Sequence, residues 1–395
     1  MPAEFLIFGT TLAGVALFHR RAMPIAAAGL ATVIAYKWAF TGFATGAGAA
    51  GLAAHFGHEW VVLVNLLLLL VGFALLAAHF EDSGLPREFP AWLPDDWTGA
   101  FALLAIVFVV SGFLDNIAAA LIGGAMAHTL FRGRVRVGYI VAVVAASNAG
   151  GAGSVIGDTT TTMMWISGVP PIQVAHAYLA SAVAFVVFGI PAARAQHRYS
   201  PIIKDSEPSL AIDWPRVAIV AIILVSAIAV NVGVNATHPE AAADFPFIGA
   251  AVASAIAVTA PWRRPAWNVV PGATKGAIFL LCLVAMASLM PVESLPQPSW
   301  RNALLLGFVS AFFDNIPLTA LALAQGGYDW GMLAYAVGFG GSMLWFGSSA
   351  GVAISNMFPD ARSTGQWLRE GWPVAVAYVA GFAALLATLG WGPRG

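Results

Sequence analysis

Charge is the scarcest feature of this sequence. Only 9% of its 395 residues are Asp, Glu, Lys or Arg, where soluble domains carry about 25%. With 59% hydrophobic residues and a mean hydropathy of +0.82, a water-exposed globule would precipitate. A soluble fold is therefore excluded, and a polytopic helical membrane protein is expected. Cysteine is almost absent: Cys282 alone cannot form an internal disulfide, and it reads as a small core residue. No Cys/His spacing suits a metal centre, no glycine loop ends in Gly-Lys-Ser/Thr, and no nucleophile elbow occurs. Neither an ATP motor nor an enzyme is indicated. No basic patch suggests a nucleic-acid partner. The apolar runs are continuous rather than alternating, which argues against a β-barrel. The first apolar run, Phe5 to Phe18, has no Lys or Arg before it, while Arg20 and Arg21 follow. A cleaved leader has the opposite order, so this run reads as a retained span.

What is present is apolar sequence in span-sized pieces. A spanning helix needs about 20 mostly apolar residues. Ten stretches qualify: 3–18, 23–41, 59–80, 138–168, 172–190, 216–234, 246–261, 275–291, 331–357 and 372–391. Of these, 138–168 and 331–357 are too long for one span and are broken. Two more stretches, 98–130 and 300–326, are interrupted near the middle by Asp-Asn. Each fits two half-helices folded as a re-entrant hairpin. If the N-terminus is outside and both hairpins return to the side they left, 15 of the 18 Lys and Arg fall in inner loops. The exceptions are Lys37, within or at the end of a span, and Arg301 and Arg394, outside. The first half then starts outside and the second inside.

The expected fold is all-α: about ten transmembrane helices plus two re-entrant hairpins, in two inverted-topology repeats with two unwound helices at the midplane. The repeats are residues 1–190 and 216–395. A cytoplasmic linker, 191–215, joins them and carries Arg194, His197, Arg198, Lys204, Asp205 and Glu207. The expected setting is the lipid bilayer of the cell's inner membrane, crossed many times.

The chemistry concentrates in four stretches. Asp115-Asn116 and Asp314-Asn315 interrupt the two hairpins. An ionisable residue at bilayer depth is a functional-site candidate by default. The Asn side chains can satisfy backbone groups freed where half-helices meet, or offer a carbonyl oxygen to a cation. The run from Ser147 and Asn148 to Asp158, Thr159, Thr160, Thr161 and Thr162 holds four glycines between residues 150 and 157. It is expected to be unwound over 147–162, exposing carbonyls, hydroxyls and one carboxylate. Glycines packing helices closely is the plainer alternative. The counterpart, 338–351, has the same glycine-broken character with Ser342, Ser348 and Ser349 but no acid.

No Lys or Arg falls inside these stretches. Asp115, Asp158 and Asp314 cannot all stay ionised in a low-dielectric site without cationic partners, so they must bind cations, hold protons or both. Sodium is a hard ion suited to such oxygens, and the three acids are its expected ligands. An anion carrier would more naturally present bare helix N-termini. His55, His58 and Glu59 are expected where an outer loop meets the third span. His79, His128 and His176 are expected near interfaces, and Lys37 is expected to snorkel.

The runs SGFLDNIAAALI, SNAGGAGSVIGDTTTTMMWI, SAFFDNIPLTALAL and GFGGSMLWFGSSAGVA resemble the ion transporter superfamily, and within it NhaD-type sodium/proton antiporters. The resemblance implies two hairpins and two unwound helices around a central ion site, a homodimer, and a transport part that moves like an elevator against a scaffold. Sodium and protons would be transported or coupling ions, with no resident cofactor. Citrate and dicarboxylate relatives typically carry Ser-Asn-Thr at the hairpin tips, whereas this chain has Asp-Asn-Ile at both. A carboxylate or oxyanion carrier and an arsenite-type permease are the alternatives.

Overall fold

The computed structural model describes residues 2–18, 21–202, 211–237, 241 and 244–393. Arg20, Lys204 and Arg394 of the basic-residue count, and Asp205 and Glu207 of the linker, lie outside the described residues. Among the described residues there is no β-strand, only an isolated bridge between Phe43 and Gly46. The chain is an all-α polytopic membrane protein.

In chain order the helices are α1 (Ala3–Leu17), α2 (Ala22–Tyr36), α3 (Gly48–Asp82), α4 (Leu85–Trp92), α5 (Trp97–Ser111), α6 (Asn116–Leu130), α7 (Val137–Ala152), α8 (Thr159–Ile166) and α9 (Pro171–Ala175). There follow α10 (Ala177–Tyr199), α11 (Trp214–Thr237), α12 (Phe247–Thr259), α13 (Val270–Ser288), α14 (Trp300–Ser310), α15 (Asn315–Gln325), α16 (Trp330–Gly340), α17 (Ser349–Met357) and α18 (Thr364–Leu389). Every expected span coincides with a helix or a broken helix pair. Among the described residues six helical segments are long and apolar enough to cross a membrane alone: Ala22–Thr41, Gly48–Asp82, Pro171–Tyr199, Trp214–Val234, Trp267–Ser288 and Thr364–Leu389.

Several expectations change. The third span is much longer than 59–80. It begins at Gly48, so His55, His58 and Glu59 lie inside a helix rather than at a loop junction. The first part of the 191–215 linker continues α10 to Tyr199. Lys37 does not snorkel: it begins a π-helical turn, Lys37–Thr41, and is buried. His79 is buried too, with Nδ1 3.1 Å from Arg216 Nη1.

The chain forms two compact units, and each draws on both halves of the sequence: 1–79, 215–297 and 319–325 in one, 80–214, 298–318 and 326–395 in the other. In the first unit α2 packs on α1 and α13. A Cβ on Gly29 would meet Thr11 Oγ1 at 2.4 Å, the close approach that small residues permit between membrane helices. Asn65 Oδ1 on α3 accepts the Gly249 N–H of α12 at 2.9 Å. That N–H belongs to the first turn of α12, which has no intrahelical acceptor for it.

In the second unit α7 and α16 pack together at the centre. Both are buried along almost their whole length, as a helix that is apolar all round must be. Around them lie α5, α6, α10, α14, α17 and α18. The pairs α5/α6 and α14/α15 are the two interrupted stretches. At the open end of the second, Gln325 Nε2 donates to Pro296 O at 2.9 Å.

Candidate functional site

The two central helices both stop in mid-unit. After Ala152 the chain is non-helical through Asp158, and α8 begins at Thr159. After Gly340 a 3-10 turn, Gly341–Met343, leads into a non-helical stretch that ends at Ser348, and α17 begins at Ser349. The expected unwound stretches, 147–162 and 338–351, are thus corrected to shorter breaks. Most of their glycines serve close packing. A Cβ on Gly150 would lie 1.9 Å from Phe108 O, and one on Gly340 would lie 2.3 Å from Gly307 O. The helix therefore continues to the point where the interrupted helix crosses it, and only then breaks.

The break after α7 is closed by its own hydroxyls. Thr161 Oγ1 donates to the carbonyls of Ser154, at 2.5 Å, and Asp158. Thr162 Oγ1 donates to those of Val155 and Asp158. The Ser154 and Asp158 carbonyls also accept the Gly157 and Thr162 N–H groups, so the hydroxyls reinforce the turn. Thr161 thereby holds the turn through its hydroxyl proton. Ser147 Oγ donates to Val144 O at 2.9 Å. Thr159 is half-buried. The Thr160 hydroxyl is buried without a hydrogen-bond partner.

Asp158 caps α8, accepting from Thr160 N at 3.1 Å through Oδ1. Its Oδ2 accepts from Asn315 Nδ2 at 3.3 Å. Asp158 and Asn315 are both buried. On the other side, Asn116 Nδ2 donates to Asn148 Oδ1 at 3.1 Å. Asn148 Nδ2 donates in turn to Ser342 Oγ at 2.9 Å and Ser348 Oγ at 3.2 Å. Ser348 caps α17 through Gly351 N. The second hairpin's acid, Asp314, accepts from Ile316 N at 3.1 Å and from Ser349 Oγ at 3.0 Å.

The structure thus brings Asn116, Asn148, Ser342 and Ser348 into one chain of bonds. Asp158 with Asn315, and Asp314 with Ser349, form two others. Asp115 stands at the N-cap of α6 with no side-chain cap bond and is half-buried, as is Asp314. Among the described residues no three His, Cys, Asp or Glu side chains form a group that could hold a metal ion by themselves. Each acid sits at the start of a different helix: Asp115 before α6, Asp158 before α8 and Asp314 before α15. None of the three is paired with Lys or Arg among the described residues.

Two residues escaped the sequence reading. Ser111 Oγ donates to Ser147 O at 2.5 Å, and Ser310 Oγ donates to Val337 O at 2.7 Å. Each serine stands four residues before its Asp, and each acceptor stands eleven residues before the residue that caps the next half-helix. These matching offsets were available in the sequence. They carried no signal, because the partner is a backbone carbonyl.

No family model matches this chain. Two curated proteins of Arabidopsis thaliana are similar to it. Sodium/proton antiporter 1 is 27% identical over 332 residues, covering 71% of this chain and 54% of the relative. Sodium/proton antiporter 2 is 27% identical over 308 residues, covering 66% of this chain and 69% of the relative. The chain spans about half the length of the first of these relatives.

Proposed function

We propose that this chain is a secondary active transporter that exchanges a cation, sodium foremost, for protons. The observation that carries the reading is Asp158: buried, free of any basic partner among the described residues, and held by the hairpin residue Asn315 at 3.3 Å. Both of its bonds come from N–H donors, Thr160 N and Asn315 Nδ2, so the oxygens accept as an ionised carboxylate does. A carboxylate so placed needs a positive charge from the substrate, which a cation or a proton can supply in turn. The similarity to two proteins named as sodium/proton antiporters supports the same assignment, as does the motif resemblance to the NhaD-type branch of the ion transporter superfamily.

In this reading Asp158 is the group at which cation and proton compete. Neutral oxygens come from the Thr160 hydroxyl, Asn315, Ser342 and Ser348. Asp115 and Asp314, half-buried at the starts of α6 and α15, draw cations toward the site. The two interrupted stretches act as oppositely re-entrant hairpins of inverted repeats. Access alternates by rigid-body, elevator-type movement of the site-bearing part, in a homodimer in the inner cell membrane.

The test is a proton-gradient assay in everted vesicles or proteoliposomes. A sodium pulse should dissipate the gradient in wild type and leave it intact in Asp158→Asn at equal expression. A gradient that survives sodium, lithium and potassium in wild type rejects the antiporter. Saturable sodium-dependent uptake of a labelled dicarboxylate would instead assign a carboxylate carrier.

A further inference from the structure

Away from the acids, a cavity of about 490 Å³ opens where α7, α10 and α18 approach one another. Pro191 in α10 and Pro373 in α18 both line it. Each proline removes the N–H that would bond the carbonyl four residues earlier, those of Val187 and Arg369, so both helices are weakened at the same level.

The cavity has a charged rim and an apolar wall. Arg136 Nη2 lies 3.3 Å from Glu370 Oε2, and the same oxygen accepts the Gly138 N–H at 3.1 Å. Glu370 Oε1 accepts from Gln366 at 3.3 Å. Glu370 thus occupies an anion seat made by a guanidinium and the first turn of α7. The other rim cation, Arg369, is exposed and makes no hydrogen bond or ion pair among the described residues. Two guanidinium groups face one carboxylate, so the rim keeps an excess positive charge. The wall includes Phe188 and Trp372. Trp372 is 62% exposed, and with Leu368, Val376 and Val379 it forms an exposed apolar stripe on one face of α18.

We propose that this cavity binds one anionic phospholipid, with its phosphate on Arg369 and Arg136 and an acyl chain along Trp372 and the rest of the α18 stripe. A small soluble anion would use the rim and ignore the apolar wall. A zwitterionic lipid brings its own cation to a rim that already has one too many. Basic clefts between membrane helices are suited to anionic headgroups for these reasons. The lipid phosphate and the Glu370 carboxylate compete for Arg136. Occupancy therefore decides whether α18 is tied to the start of α7, the helix that carries Asn148.

The test uses the purified full chain in neutral detergent, titrated with phosphatidylglycerol, phosphatidylcholine or inorganic phosphate. Thermal unfolding and native mass spectrometry are the readouts. Phosphatidylglycerol should raise the unfolding temperature and remain bound, while phosphatidylcholine and phosphate should do neither. Arg369→Gln, which removes a side chain with no protein partner, should weaken phosphatidylglycerol binding about tenfold, as loss of one charge-assisted contact predicts. Glu370→Gln should strengthen it. Equal effects of phosphatidylcholine or of inorganic phosphate, or unchanged binding in Arg369→Gln, would overturn the proposal.

Discussion

Asn315 donates its side-chain N–H to Asp158 Oδ2 at 3.3 Å. The first residue of one half-helix thereby holds the residue that caps another, 157 positions away. On the opposite side Asn116 makes the corresponding reach, but to Asn148 rather than to an acid. Asn148 relays the contact to Ser342 and Ser348. One side of the site is therefore a carboxylate and the other a neutral relay, although both sides are built from the same parts.

Asn315→Ala removes the Asn315 donor to Asp158 Oδ2. Exchange should fall by about tenfold or more, with the apparent affinity for sodium changed, because a charged acceptor loses a bond worth about 1.5–3 kcal/mol. The measurement is the sodium dependence of gradient dissipation in everted vesicles. A wild-type concentration dependence would remove Asn315 from the site.

Asn148→Ala breaks three hydrogen bonds at once and leaves buried serine hydroxyls behind. Interhelical bonds in membranes are individually worth about 1 kcal/mol or less, so a loss of roughly 1–3 kcal/mol is expected. Thermal unfolding of the purified protein reads it. An unchanged unfolding temperature would show that the relay contributes nothing to stability.

The neighbouring threonines should separate. Thr160→Val replaces a buried hydroxyl that has no partner, so stability should hold or rise while exchange falls, if that oxygen faces the cation. Thr161→Val removes a hydroxyl that closes the break. Its unfolding temperature should drop, since two hydrogen bonds at the break are lost at about 0.5–1.5 kcal/mol each. Measuring exchange and unfolding together distinguishes the two, and the reverse pattern would exchange their roles.

Glycines offer a built-in control. Gly150→Ala would place a Cβ 1.9 Å from Phe108 O, and Gly340→Ala would place one 2.3 Å from Gly307 O. Both should destabilise by about 1–3 kcal/mol or more through forced backbone shifts. Gly276 on α13 has nothing within 4 Å of such a Cβ, and Gly276→Ala should stabilise by up to about 1 kcal/mol. Detergent unfolding curves of the three variants test the ordering.

Much of this was legible beforehand for a simple reason. Apolar runs of span length, and acids inside them, are local in sequence, and the ten expected spans land on helices. The breaks were harder. Gly150 and Gly151 read as helix breakers, yet they lie within α7. Their small size is required by Phe108 O and Gly157 O pressing on them from outside the helix. Nor did the sequence show that the Ser147 and Thr161 hydroxyls donate to nearby carbonyls.

By itself, the sequence determined that the chain is helical, lies in lipid, and carries three aspartates without basic partners in its four motif stretches. Composition and hydrophobic run length are enough for that, because the bilayer admits only helices and closed barrels and the apolar runs do not alternate. Only the tertiary structure decided which oxygens meet. It joined Asp158 to Asn315 and gave Asn148 to the serines. Hydrogen-bond partners at such separations depend on how α7 and α16 cross the interrupted helices, and no local pattern encodes that crossing.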